Sequence, residues 1–218
     1  MLDIGYWMLA IPLQHPTSNI QYPTSSHARE RRIMTSTATD HAMLAALRAG
    51  DEAAFERFFR TWYARLADYA FRILDHRDQA EDAVQEVMLE VWRRHEQLPD
   101  AEALPGYLHR SVRNRALNQL RRDRRLTGGD PETLPGLQSE PLALRRLMEA
   151  DLALALSDAL GSLAPRTREV FVLSREQGLT YPQIATTLDI SVKTVETLMG
   201  RALKALRLRL GGQLLPDG

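Results

Sequence analysis

The sequence contains no cysteine, which excludes disulfides, thiolate nucleophiles and cysteine–zinc sites and fits a reducing compartment. No run of about eighteen apolar residues occurs, so no transmembrane helix and no membrane insertion are expected. Net charge is also missing: 28 Lys and Arg balance 28 Asp and Glu, and the chain as a whole offers a polyanion no attraction. Among the six histidines (His15, His27, His41, His76, His95 and His109) no HExxH or Glu-x-x-His pair occurs, leaving a metal site without support. His95 and His109 are expected at the surface, beside DNA. Gly128–Gly129 is followed by no Lys-Ser or Lys-Thr, so there is no phosphate-binding loop. These absences predict a protein that is not an enzyme and needs no cofactor. β-Branched runs are short as well. Ala, Leu, Arg and Glu dominate between a few Gly and Pro clusters, which predicts an all-α fold.

Charge is present but segregated. In DQAEDAVQEVMLEVWRR, residues 78–94, Ala80, Val84, Val87, Met88 and Val91 recur at three- and four-residue steps and share one helical face. Asp78, Asp82, Glu86 and Glu90 recur every four residues, and like charges at that spacing weaken an isolated helix by roughly a few tenths of a kcal/mol per pair. Such a stripe is either a solvated face or a surface awaiting a basic partner. These carboxylates lie along one helix rather than facing each other across a cleft, so they form no catalytic constellation.

The basic counterpart follows in GYLHRSVRNRALNQLRRDRRL, residues 106–126, with seven arginines against Asp123 alone. Leu108, Val112, Ala116 and Leu120 form its buried stripe; Arg110, Asn114, Asn118, Arg121 and Arg125 fall opposite. Asn among Arg offers donors and acceptors for base edges beside charges for phosphates. An acidic helix followed by a basic one implies two different partners for one domain.

The remaining segments frame these two. Residues 1–40 carry Pro12, Pro16 and Pro23, many Ser and Thr, and no helical period, and are expected to be a disordered extension. Met34 is a candidate start, in which case the preceding residues are untranslated; an intact mass that includes Met1 would refute this. Residues 40–48 and 51–74 read as helices, with Gly50 as the break and Asp51 as N-cap. The stripe Phe55, Phe58, Phe59, Trp62, Leu66, Tyr69, Ala70 and Ile73 is a core face that should pack on Val84, Met88 and Val91. His95–Leu104 reads as a loop, with Pro105 in the first turn of the next helix. TGGDPETLPGLQSEP, residues 127–141, is a linker between domains at 41–126 and 142–211, and 212–218 is a tail. Helices are expected over 142–160 and 165–177, the latter stopped by Gly178.

Residues 180–206 read as a helix-turn-helix. The first helix, 181–188, turns Ile184, Ala185 and Leu188 inward, Asp189–Ile190 makes the turn, and Ser191 caps the second helix. There Val192, Val195, Met199, Ala202 and Leu206 point inward and Lys193, Thr194, Thr197, Arg201 and Lys204 outward. Asp189 replaces the commoner Gly but tolerates the left-handed turn conformation better than most residues.

DQAEDAVQEVMLEVWRR, YLHRSVRNRALNQLRRDRR and LTYPQIATTLDISVKTVETLMGRALKALR, in this order, resemble a bacterial RNA polymerase sigma factor of the extracytoplasmic-function (ECF) group. The resemblance implies promoter recognition, DNA melting and transcription initiation in the cytoplasm. It implies core RNA polymerase as partner through its β′ clamp helices and β subunit, with Asp82, Gln85 and Glu86 as principal contacts. It further implies contacts to the −10 element from Arg110, Arg113, Asn114, Asn118, Arg121 and Arg122, and reception of an unstacked base by the 95–104 loop. Contacts to the −35 element are implied for Lys193, Thr194, Thr197, Arg201 and Lys204. Glu196 and Gly200 depart from the family's commoner basic or bulky residues, and Pro182 replaces a frequent Glu. An anti-sigma factor is implied as regulator. The competing reading is a helix-turn-helix regulator of the response-regulator type, which would need an α/β receiver or sensing domain; 41–126 shows no strand pattern.

Overall fold

The hydrophobic period of the first half is realised as three long helices. The computed structural model describes residues 41–127 and 157–214. The expected N-terminal extension, the linker at 128–141 and most of the helix read at 142–160 lie outside the described residues. Helix α1 covers 41–48, and the chain turns at Gly50, whose φ of 79° favours a residue without Cβ. Asp51 then caps α2 (Glu52–Leu74), its carboxylate accepting from the amides of Ala53 (2.8 Å) and Ala54 (3.2 Å). Asp75, left-handed at φ 57°, ends α2, and α3 (Arg77–Arg93) begins at once. A short 3-10 turn (His95–Gln97) leads into α4 (Leu104–Thr127).

Helices α2, α3 and α4 pack on one another pairwise. Phe55, Phe58, Phe59, Leu66, Tyr69, Ala70 and Ile73 are all buried, as are Val84, Met88 and Val91 facing them. Trp62 is half-buried and Phe55 stacks obliquely on Trp92 at 5.0 Å between ring centroids. Burying a side chain of the size of Phe58 contributes about 1.5–3 kcal/mol, so this aromatic face dominates the first core.

The second helical group consists of α5 (157–161), α6 (Pro165–Arg175), α7 (Tyr181–Leu188) and α8 (Val192–Leu214). α8 reaches past Gly211 and Gly212 into the stretch read as a tail, a shift of the size usual at helix ends. Ala159, Leu160, Leu163, Ala202 and Leu206 form one core cluster, with Phe171 and Ala205 packed against it. Thr180 and Gln183 make a reciprocal capping box at the start of α7. Asp189 occupies the left-handed turn at φ 55°, and the Ser191 hydroxyl accepts from the amide of Thr194 (3.0 Å). Val195, Met199, Ala202 and Leu206 are buried as expected. Val192 is not: it is 39% exposed, because the first position of a helix has no preceding turn to cover it.

All regular structure among the described residues is helical, and the first half shows no strand there. The sheet a receiver domain requires is therefore missing from 41–127. No described helix is long and apolar enough to cross a membrane. The two helical groups meet where α4 packs against α7, within one unit that spans Thr39–Gly218.

Candidate nucleic-acid interface

The acidic stripe of α3 is an exposed face whose ends are internally relieved. Arg77 pairs with Glu81 (3.0 Å) and Arg94 with Glu90 (2.5 Å), each one helical turn apart. Glu86 pairs with Arg115 of α4. Asp78 and Asp82 are exposed, and Asp82 makes no ion pair among the described residues; Gln85 is half-buried. The two oppositely charged helices are thus linked by the Glu86–Arg115 pair, while Asp78 and Asp82 remain exposed.

Helix α4 divides its polar residues unequally. Arg110, Asn114, Asn118 and Arg122 are exposed, and Arg121 is half-buried, donating to the Asn118 side chain (3.0 Å). Arg113 is only 17% exposed. Its Nε donates to Oε1 of Glu169 on α6 at 2.8 Å. Burial works against the charge of Arg113, but the hydrogen bond and charge of Glu169 outweigh it and hold the guanidinium firmly protonated. The same carboxylate accepts from Tyr69 Oη (3.2 Å) and from Arg166 Nη1 (3.2 Å). Burial first, and then the charge of Glu169, pushes the Tyr69 phenol well above its ordinary value. On α8, by contrast, Lys193, Thr194, Thr197, Arg201 and Lys204 are all exposed, and Lys193 pairs with Glu196 of its own helix.

A family model described as Sigma-70 region 2 matches residues 58–126, and one described as Sigma-70, region 4 matches 153–206. The ECF RNA polymerase sigma factor SigL of Mycobacterium tuberculosis is 31% identical over 172 residues, covering 78% of this chain and 96% of its own length. The chain belongs to the ECF RNA polymerase sigma factors. SigK of Mycobacterium bovis, another ECF sigma factor, is 27% identical over 173 residues, covering 76% of this chain and 90% of its own. In fold, this sigma factor is similar to CnrH as solved in complex with the cytosolic domain of CnrY, with TM-score 0.54 and 24% identity. That match covers 79% of this chain and 97% of CnrH. As a sigma factor the protein serves promoter recognition in transcription initiation, and the reading as a response-regulator-type protein is not favoured.

Besides Val192, another residue of this sigma factor contradicts its sequence reading. His109, expected at the surface beside DNA, is fully buried. Its ring lies against Tyr69 (5.3 Å between centroids) and edge-on to Trp62 (6.4 Å). The helical wheel of α4 shows only what α4 can turn inward; the side chain is closed off by Gln177, which arrives from beyond α6. The Pro105 carbonyl can only accept, so Nδ1 carries the proton of that 2.8 Å bond. Nε2 lies 3.3 Å from the side-chain oxygen Oε1 of Gln177.

Burial lowers the His109 pKa from 6.5 to about 4; the nearby Arg65 cation acts the same way, while the bonds to Pro105 and Gln177 oppose it. The unfolded chain therefore takes up the proton first. Stability is full above about pH 6.5 and falls as the pH drops toward 4, by at most about 1.4 kcal/mol per pH unit from this group. Urea midpoints measured between pH 7 and 4.5 should decline more steeply for the wild-type protein than for His109→Gln. Parallel declines would show that His109 is hydrated in solution.

Sequence reasoning missed Glu169, Glu176 and Gln177 altogether. Glu176 pairs with Arg72 of α2, both side chains being largely buried. Arg65 of α2 donates to the Gln177 carbonyl, and its guanidinium lies 5.2 Å from the Trp62 ring centre. Nothing in the local pattern of α6 marks these residues, because their partners lie in the other helical group.

Proposed function

We propose that the exposed face of α3, with Asp82, Gln85 and Glu86, docks on the β′ clamp helices of core RNA polymerase. Arg110, Arg113, Asn114, Asn118, Arg121 and Arg122 of α4 engage the −10 element and its melted strand. Lys193, Thr194, Thr197, Arg201 and Lys204 of α8 read the −35 duplex in the major groove. In this reading 41–126 is the region 2 domain, 142–211 the region 4 domain, and 127–141 the connection that sets the span between them. The observation that carries it is the segregation of exposed charge. One helix presents carboxylates, and two others present Arg, Lys, Asn and Thr, in a chain whose net charge is zero.

The acidic face gives the balance a purpose, since it limits indiscriminate attraction to DNA while polymerase is absent. Unstacking a base costs a few kcal/mol, which polymerase docking and the −35 contact together offset. The protein supplies binding and position and no catalytic group of its own, and it acts in the cytoplasm. An anti-sigma factor is its proposed regulator, a role that the resemblance to the family supports.

The test is run-off transcription with bacterial core polymerase and a library of promoter fragments. Transcripts that appear only when this protein is added support the reading, and their start sites reveal both promoter elements. DNA binding without core binding or transcripts would instead mark a regulator.

A further inference from the structure

We propose that Glu196 selects a cytosine in the −35 element, and that Gly200, one turn further along α8, lets the helix seat close enough for it to do so. The proposal rests on the reading of α8 as the −35 helix. Lys193, Glu196, Thr197, Gly200 and Lys204 recur at three- and four-residue steps and share one exposed face. Glu196 is the only acidic residue of α8; its side chain is 47% exposed and lies 3.2 Å from Lys193 Nζ. A carboxylate brought against DNA is repelled by phosphates and by base edges that present only acceptors. In the major groove guanine presents N7 and O6 and thymine presents O4, while adenine sets its N7 acceptor beside its amino group. Cytosine presents the N4 amino donor alone, so a carboxylate can accept from it with no opposing lone pair. The Lys193 ammonium is a donor suited to guanine O6 and N7, and the two side chains together match the edge of one C·G pair.

Gly200 has no reason within the protein itself. Its backbone is helical, and a Cβ added there would meet nothing within 4 Å. At Gly106, by contrast, an added Cβ would lie 3.0 Å from the carbonyl oxygen of Gln183, so the fold requires that glycine. Glycine inside a helix lowers its stability relative to alanine, and no contact within the fold offsets the loss at position 200. An exposed glycine in the middle of a reading face is explained by the close approach of another molecule to the backbone. Without a side chain there the helix sits deeper in the groove, and the short Glu196 side chain, one turn earlier, comes within reach of base edges. Glu196 and Gly200 are also where the sequence departs from the family's commoner basic or bulky residues, which makes this choice of base particular to this chain.

The test starts from a promoter recovered by run-off transcription with the full-length protein and core polymerase. Its −35 positions are randomised, each template carries a transcribed barcode, and transcripts are counted by sequencing. At one position the wild-type protein should prefer cytosine over each other base by about tenfold, the size of one good base contact. Glu196→Ala should cut that preference below about twofold while the other positions keep theirs, and Glu196→Gln should move it to adenine, whose N6 and N7 suit an amide. An unchanged preference in Glu196→Ala overturns the proposal. A change in output that is uniform across all sequences overturns it too, by showing that the carboxylate only weakens attraction to DNA. Gly200→Leu should melt at or above the wild-type temperature, because its side chain enters open space and leucine is the better helix former. It should nevertheless lower transcription from the preferred promoter by at least about tenfold. Undiminished transcription by Gly200→Leu would equally count against the proposal. Failure to recover any promoter with the wild-type protein overturns the sigma-factor assignment instead.

Discussion

Asp82→Arg combined with Glu86→Arg lowers run-off transcription by at least about 100-fold and leaves duplex binding through α8 intact. Both carboxylates are exposed on one turn of α3 and face away from the core formed by Val84, Val87, Met88 and Val91. A positively charged docking partner would then meet two new cations, and like-charge juxtaposition across an interface costs several kcal/mol, with about 1.4 kcal/mol for each factor of ten. The fold should survive. Among the described residues the ion pair affected is Glu86–Arg115, which is solvent-exposed, and pairs of that kind contribute about 0–1 kcal/mol. Three measurements separate the outcomes: transcription, retention on immobilised core polymerase, and a thermal melt. Retained transcription would sink the assignment of α3 as the docking helix, and a collapsed melt would mean that the variant tests folding instead.

The second large effect is on stability. Arg72 and Glu176 are 3% and 5% exposed and join α2 to the segment that follows α6, 104 residues along the chain. Burial pushes the Glu176 carboxyl above its ordinary range, although the charge and hydrogen bond of Arg72 pull it down. Desolvation thus outweighs pairing at this site. Removing one partner strands the other, so Arg72→Met should destabilise by about 3–5 kcal/mol. Arg72→Met with Glu176→Leu should recover most of that loss, because replacing a whole buried pair by apolar groups is often neutral or stabilising. Urea denaturation of the wild type, the single variant and the double variant checks both statements. A single variant that loses less than about 1 kcal/mol would mean that water reaches the pair in solution, with the two helical groups apart for much of the time.

Much of this molecule was legible before any coordinates. The aromatic stripe of α2 is buried, Asp51 caps the helix it was expected to cap, and Asp189 takes the left-handed turn that its side chain tolerates. The helix-turn-helix spans Tyr181–Leu188 and the helix from Val192, as read from periodicity and capping residues. Each of these depends on neighbours within about four positions, and a helix reports its own inward face at that range. His109 and Arg113 were misjudged or incompletely read for the complementary reason. Both sit beside the expected inward stripe of α4, and their fate turns on Gln177 and Glu169, residues 68 and 56 positions away.

The sequence by itself determined the all-helical elements, their caps, the separation of acidic from basic faces, and the resemblance to ECF sigma factors. It could do so because hydrogen-bonded turns and side-chain period are short-range. Only the tertiary structure decided which polar side chains lie in solvent and which are held: Asn114 and Arg201 are exposed, while Arg113 and Arg72 are paired with carboxylates from the other helical group. Pairing and burial at those positions arise where helices distant in the chain come into contact, and no local pattern encodes which carboxylate will arrive there.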